Sequence, residues 1–346
     1  MHSIPTYNYS LRIGMKILVL LLSFVLTMLL LNVIASAQAL DDFQSHQTGN
    51  WNSTATWERW NGAAWITPAP SSPTNANGAI TIQSGHIVTV TGGITVDQVV
   101  VNTGGQVTLN AGVTLTIANG TGTDLSVSGL FMSGGTFAIG GGATVAFNAG
   151  GTYQHNQNGG VIPVATWSST STCLVTGTVA NIPTGLGQTF GYLTWNATGQ
   201  TTTATLGNIL TIAANLAIQS TGTGRFSLAT GTSTVAGDFI QSGGSVRISG
   251  GGVRIVTVAG NFNMSGGTLD MGTGAAIGTL NVAGNFSHTA GTIQESGSAS
   301  GAIIFNGTGT QTYTSGGTIL NTINFTVNNA ATLQLASGST VITGGG

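Results

Sequence analysis

Three near copies of one phrase stand in tandem in the carboxy-terminal half of the chain: TVAGDFIQSGGSVRI from Thr234, TVAGNFNMSGGTLDM from Thr257 and NVAGNFSHTAGTIQE from Asn281. Aligned, they bring Gly237, Gly260 and Gly284 into one column, 23 and 24 residues apart. A repeat this short, made of β-branched runs cut by Gly-Gly, cannot close a core alone and must bury its apolar side against its neighbours. The phrase therefore predicts an all-β chain wound as a right-handed parallel β-helix, a β-solenoid with coils of about 20–24 residues. Each strand would hydrogen-bond to the coils above and below it.

The columns assign roles to the letters. Phe239, Phe262 and Phe286 coincide, as do Val235, Val258 and Val282, and Val246, Leu269 and Ile293. Two-residue alternation points them inward, like on like, on rungs roughly 4.8 Å apart. Asp238, Asn261 and Asn285 form a column beside a turn, where a side-chain amide can bond its own backbone or the next rung. Arg247 and Asp270 share an outward column and read as solvated surface, a setting in which an ion pair is worth about 0–1 kcal/mol. Gln241, Met264 and His288 vary between the copies, so any specific function of the repeats would be sought there.

Upstream the same build continues less regularly. Ile80–Ile82, Ile87–Val90, Val99–Val101, Val107–Leu109 and Leu115–Ile117 are short β-runs cut by Gly85, Gly92-Gly93, Gly104-Gly105 and Gly112. Ser128 to Phe137 repeats the later phrase with one residue removed. No stretch past residue 40 sustains an apolar period of 3.6, so almost no helix is expected there. The solenoid is assigned to residues 80–346. It ends on Val341-Ile-Thr-Gly-Gly-Gly346 without a polar cap, which reads as truncation of a longer protein.

Residues 1–39 read as a signal peptide, with Met15 as an alternative start. Lys16 precedes an apolar run from Ile17 to Ile34, and Ala35-Ser-Ala-Gln-Ala39 offers A-x-A cleavage after Ala37 or Ala39. The run is long enough to span a bilayer, so an uncleaved anchor competes with this reading. Cleavage leaves no membrane segment and no lysine, with Arg59, Arg225, Arg247 and Arg254 set against eight carboxylates. That balance excludes a nucleic-acid footprint or an anionic membrane surface as partner. Cys173 is the sole cysteine, which excludes an internal disulfide and reads as a small buried apolar residue.

Residues 40–79 are assigned to an amino-terminal cap carrying Trp51, Trp57, Trp60 and Trp65. These rings either cover the open apolar end of the first coil or form a stacking platform for sugar rings, which makes them the candidate glycan-binding residues. Other chemistry is sparse. A glycoside hydrolase needs two carboxylates facing each other across roughly 5–10 Å, and no two acids of the aligned repeats share a column. His46, His86, His155 and His288 are isolated, His155 having the most polar neighbours, Gln154 and Asn156. No catalytic residue, metal ligand or cofactor is assigned.

Gly49-Asn-Trp51, Thr56-Trp57, the Pro73-Thr-Asn75 turn and Ser84-Gly-His-Ile-Val-Thr-Val90 resemble the amino-terminal repeat regions of secreted Bacteroidota surface proteins. Many of those proteins leave the cell by type IX secretion and carry a sorting tail, which is missing here. The resemblance extends through Tyr153–Gly159, Ile162-Pro163, Thr166-Trp167, Ser171–Cys173 and Phe190–Asn196. A weaker similarity to the extracellular domain named for its eight glycines rests on Trp57, Pro73 and the Ile80–Val90 strands. Both imply a β-helical build and a place outside the cell or on its outer surface. The resulting expectation is a noncatalytic stalk or adhesin-like segment facing extracellular polysaccharide or other surface components. The alternative is a carbohydrate-active β-helix, lyase or glycoside hydrolase-like, whose active residues lie elsewhere.

Overall fold

One interior column runs the length of the chain. Val88, Val107, Phe131, Tyr153, Cys173 and Leu193 lie in parallel register on successive coils. Leu216, Phe239, Phe262, Phe286 and Tyr313 continue it, and every member is buried. The computed structural model describes residues 38–206, 209–228 and 231–339. Nearly all of the leader read at 1–39, and the turn at 340–346, lie outside the described residues. The described residues from Leu40 onward are one compact unit of about 11 stacked coils.

The chain is all-β as the repeats require. The one helical segment among the described residues is a single 3-10 turn, Thr54–Thr56, so no helix there is long and apolar enough to cross a membrane. In the amino-terminal half the coils up to Ile139 each visit three faces. One face stacks Ile80–Ile82, Val99–Val101, Leu125–Val127 and Val145–Phe147. A second carries the column above, and a third stacks Ile94–Val96, Thr114–Ile117 and Thr136–Ile139. In the later coils the first face passes to Val253–Val258, Ile277–Val282 and Gly301–Phe305. Val235, Val258, Val282 and Phe305 are its buried column, and Val246, Leu269 and Ile293 are that of the third face.

The Gly-Gly corner is tighter than a free turn. Phe262–Asp270 and Phe286–Gln294 are each one continuous strand that bends through an irregular register after Met264. Gly244, Gly267 and Gly291 stack at this bend with φ of 67°, 80° and 87°. A side chain is excluded there twice, by the left-handed backbone and by the preceding coil, through Thr221 at Gly244 and through a glycine carbonyl at Gly267 and Gly291.

The asparagine column bonds to the next rung. Asn215 Oδ1 accepts Asp238 N at 2.8 Å, Asp238 Oδ1 accepts Asn261 N at 2.7 Å, and Asn261 Oδ1 accepts Asn285 N at 2.8 Å. Each link satisfies a backbone donor that leaves the ladder at the corner. Asn215, outside the three aligned copies, begins the chain of bonds.

At the amino end the solenoid begins earlier than residue 80. Phe43–Ser45 pairs in parallel with Ile80–Ile82, and Gly49–Asn50 with Ile87–Val90, so residues of the assigned cap already form a partial coil. Trp57–Trp60 then adds antiparallel to Phe43–Ser45, and Trp65–Ile66 adds antiparallel to Trp57–Trp60. This ribbon extends the first face past the coil stack.

Candidate functional site

The four tryptophans separate into two pairs. Trp51 and Trp57 are fully buried, packed edge to face at 4.9 Å. Their indole N–H groups donate to Pro73 O at 3.0 Å and to Trp51 O at 2.7 Å. Neither ring has a face open to a ligand, so both act in the amino-terminal core and a four-ring platform does not exist. Trp60 and Trp65 are opposite each other on the antiparallel ribbon, partly exposed, with centroids 5.5 Å apart and planes at 62°. Asn61 Oδ1 accepts the N–H groups of Ala63 and Ala64 and closes the turn between them. Along the same strand side lies Glu58, bonded to Gln44 and Thr67, and Gln44 is in turn bonded to Gln83. Two partly exposed indoles thus lie beside a row of amides and one carboxylate on the ribbon.

The variable residues of the repeats face inward, contrary to the expectation that they are where function is displayed. Gln241, Met264 and His288 form a buried column two residues beyond the phenylalanines. Ser133, His155, Val175 and Trp195 occupy the same column in earlier coils. Polar members of the column tie down carbonyls of the following turn. Ser133 Oγ donates to Gly135 O, His155 Nε2 to Gly159 O at 2.6 Å, Gln241 Nε2 to Gly244 O, and His288 Nε2 to Gly291 O at 3.2 Å. A carbonyl only accepts, so both histidines carry the proton on Nε2. His155 Nδ1 then accepts from the Tyr153 hydroxyl at 3.1 Å. His155, far from a polar surface setting, is in the core.

Burial lowers the pKa of His155 and His288 below the ordinary value of 6.5, against the raising effect of the carbonyl each contacts. Protons then bind the unfolded chain first. Stability is fully present above pH 6.5 and declines as the pH falls below it, steepening toward about 1.4 kcal/mol per pH unit per histidine. Urea midpoints between pH 8 and pH 5 should fall in this way. The slope should flatten in the His155→Gln/His288→Gln protein, whose amides can still donate to the two carbonyls.

Arg247 and Asp270 also depart from the surface reading. Asp270 is completely buried, with Arg247 Nε at 3.2 Å and Arg225 Nη1 at 3.4 Å. Ser296 of the next coil donates its hydroxyl at 2.8 Å and its N–H at 3.2 Å. The cluster joins four successive coils around one carboxylate. Cys173 is buried as expected, and burial pushes its thiol pKa up, away from reactivity.

Asp97 and Asp124 come together where the aligned repeats gave no hint. Leu125 pairs with Val99, so strict register would place Asp124 beside Gln98. Gln98 adopts φ 50° at the corner, and Asp97 and Asp124 both turn toward Gly120. Asp124 Oδ1 accepts Gly120 N at 2.5 Å, and its Oδ2 accepts the N–H and hydroxyl of Thr144 at 2.6 Å and 3.1 Å. Burial would raise the pKa of Asp124, but these bonds outweigh it and hold the group below 3.8. Asp97 is raised, by burial and then by the charge of Asp124. Both are too enclosed to flank a sugar as an acid and a base.

Among the described residues no three His, Cys, Asp or Glu side chains converge on a point. Comparisons of the chain with protein-family models, with curated proteins and with solved structures return no match.

Proposed function

We infer that the chain is a noncatalytic β-solenoid segment, a stalk or adhesin-like spacer of an exported bacterial surface protein. One observation carries this reading: five of the eight carboxylates are engaged in holding backbone. Asp42, Asp124, Asp238, Asp270 and Glu295 each accept at least one main-chain N–H, four of them from another coil or the adjoining loop. Groups engaged in this way are not free to move protons on a substrate. A leader-like amino terminus and the resemblance to secreted Bacteroidota proteins support export, with type IX secretion as the route to test. The ribbon bearing Trp60 and Trp65 is the surface assigned to glycan contact.

Incubation with plant and algal polysaccharides should release no reducing ends and no absorbance from unsaturated uronate. Either product would replace this reading with that of a carbohydrate-active β-helix. On a glycan array the protein should be retained. Trp60→Ala and Trp65→Ala should each weaken retention about tenfold, as the loss of an aromatic contact of about 1–1.5 kcal/mol requires. Unchanged retention in both variants would move the glycan surface elsewhere.

A further inference from the structure

Trp60, Glu58 and Gln44 face the same way. Gln44 lies directly opposite Glu58, and Trp60 opposite Trp65, while Phe43 and Trp57, the alternate residues of their strands, are buried in the core. Gln44 Nε2 donates to Glu58 Oε1 at 2.5 Å, Gln83 Nε2 to Gln44 Oε1 at 2.6 Å, and Asn102 Nδ2 to Gln83 Oε1 at 3.3 Å. A carboxylate only accepts, so Glu58 fixes the orientation of every amide behind it. Each amide then keeps one N–H that its neighbour in the row does not use, and all three residues are partly exposed.

This row differs from the ladder of Asn215, Asp238 and Asn261, whose side chains accept main-chain N–H groups of the next coil. Among the described residues the amides of Gln44, Gln83 and Asn102 bond no main-chain group. The coil stack does not depend on them to satisfy its backbone.

The row crosses five neighbouring strands of one sheet, from Trp65–Ile66 through Trp57–Trp60, Phe43–Ser45 and Ile80–Ile82 to Val99–Val101. Gln83 and Asn102 directly follow the last two strands. At roughly 4.8 Å per strand the row spans about 19 Å along the coil axis. That is longer than a disaccharide and suits a chain of several sugar units. Indole faces stack on sugar rings, and amide N–H and carbonyl groups answer hydroxyls. The acids beside the row are already bonded, Glu58 to Gln44 and Thr67, and Asp42 to the N–H of Ala79. Arg59 lies on the opposite side of the strand, held by Asp41. An anionic polymer would therefore meet two carboxylates and no arginine.

We propose that Trp60, Trp65, Gln44, Gln83 and Asn102 form one extended site for a linear, uncharged polysaccharide lying along the coil axis. The site rests on the glycan reading of the ribbon, to which it adds the ligand's charge, length and direction.

The experiment is calorimetric titration of the full chain with cellohexaose, xylohexaose and mannohexaose, with their disaccharides, and with hexagalacturonate. At least one neutral hexamer should bind about tenfold tighter than its disaccharide, and hexagalacturonate should not bind. Gln83→Ala and Asn102→Ala should unfold at the wild-type temperature. Each should weaken hexamer binding about fivefold, as loss of one hydrogen bond does, and leave the disaccharide unchanged. Trp60→Ala should weaken both. Wild type that binds no neutral hexamer, or binds it no tighter than its disaccharide, would overturn the extended site. So would wild-type hexamer affinity in both amide variants, or hexagalacturonate bound as tightly as the neutral chains. The ribbon reading survives those results where Trp60→Ala still weakens the disaccharide, and fails where Trp60→Ala and Trp65→Ala leave every probe's affinity unchanged.

Discussion

Replacing Phe262 by alanine should lower the free energy of unfolding by about 3–5 kcal/mol, the cost of a large-to-small change in a packed core. The ring is fully buried, stacked on Phe286 at 4.8 Å and meeting Phe239 edge to face at 5.4 Å. The site cannot collapse around the loss. Its neighbours hang from backbones paired on both sides by parallel ladders, so the coil spacing is set by hydrogen bonds and not by the side chains. The cavity therefore persists, and its surface adds to the lost transfer energy. In a stacked array the damage is also local. Hydrogen exchange should quicken most in coils 239–247, 262–270 and 286–294, and least in those before residue 200. An unchanged midpoint would show that the phenylalanine column is not the core.

The Arg225→Met/Arg247→Met double variant should cost a similar 3–5 kcal/mol, for an electrostatic reason. It leaves Asp270 buried with only Ser296 to bond it, and an uncompensated charge inside a protein is heavily penalised. Either single variant should cost less, because the second arginine remains within 3.4 Å. Asp270→Asn should also cost less, since both guanidinium groups are partly exposed and can turn to water. Unfolding should be measured in urea, because guanidinium salts screen charge. A double variant as stable as wild type would return this cluster to the solvated surface.

Much of the fold was legible because its information is periodic. The spacing of Gly237, Gly260 and Gly284 implied the coil, and alternation around Phe262 implied which letters face in. The inference was weakest where a residue's type and its depth disagree. Asp270 was read as surface because its column begins with Arg247. Its burial depends on Ser296 and on Arg225, 26 residues after it and 45 before it in the chain, which no local pattern links. Gln241 and His288 were read as display positions because they vary. They vary because each answers the carbonyl geometry of its own following turn. Trp51 and Trp57 were indistinguishable from Trp60 and Trp65 by composition. Only the parallel pairing of Phe43–Ser45 onto the first coil places one pair inside and leaves the other on the ribbon.

The pairing of Asp97 with Asp124 is the sharpest case. Register alone puts them one residue apart, and the left-handed turn at Gln98 closes the difference. By itself the sequence determined that the chain is a parallel β-solenoid, because a short glycine-punctuated repeat has no other way to bury its apolar face. Which polar side chains lie inside, and which acids meet, was decided by tertiary structure. Those outcomes depend on how corners of differing length bring non-adjacent coils into register, a property of the stack and not of any one repeat.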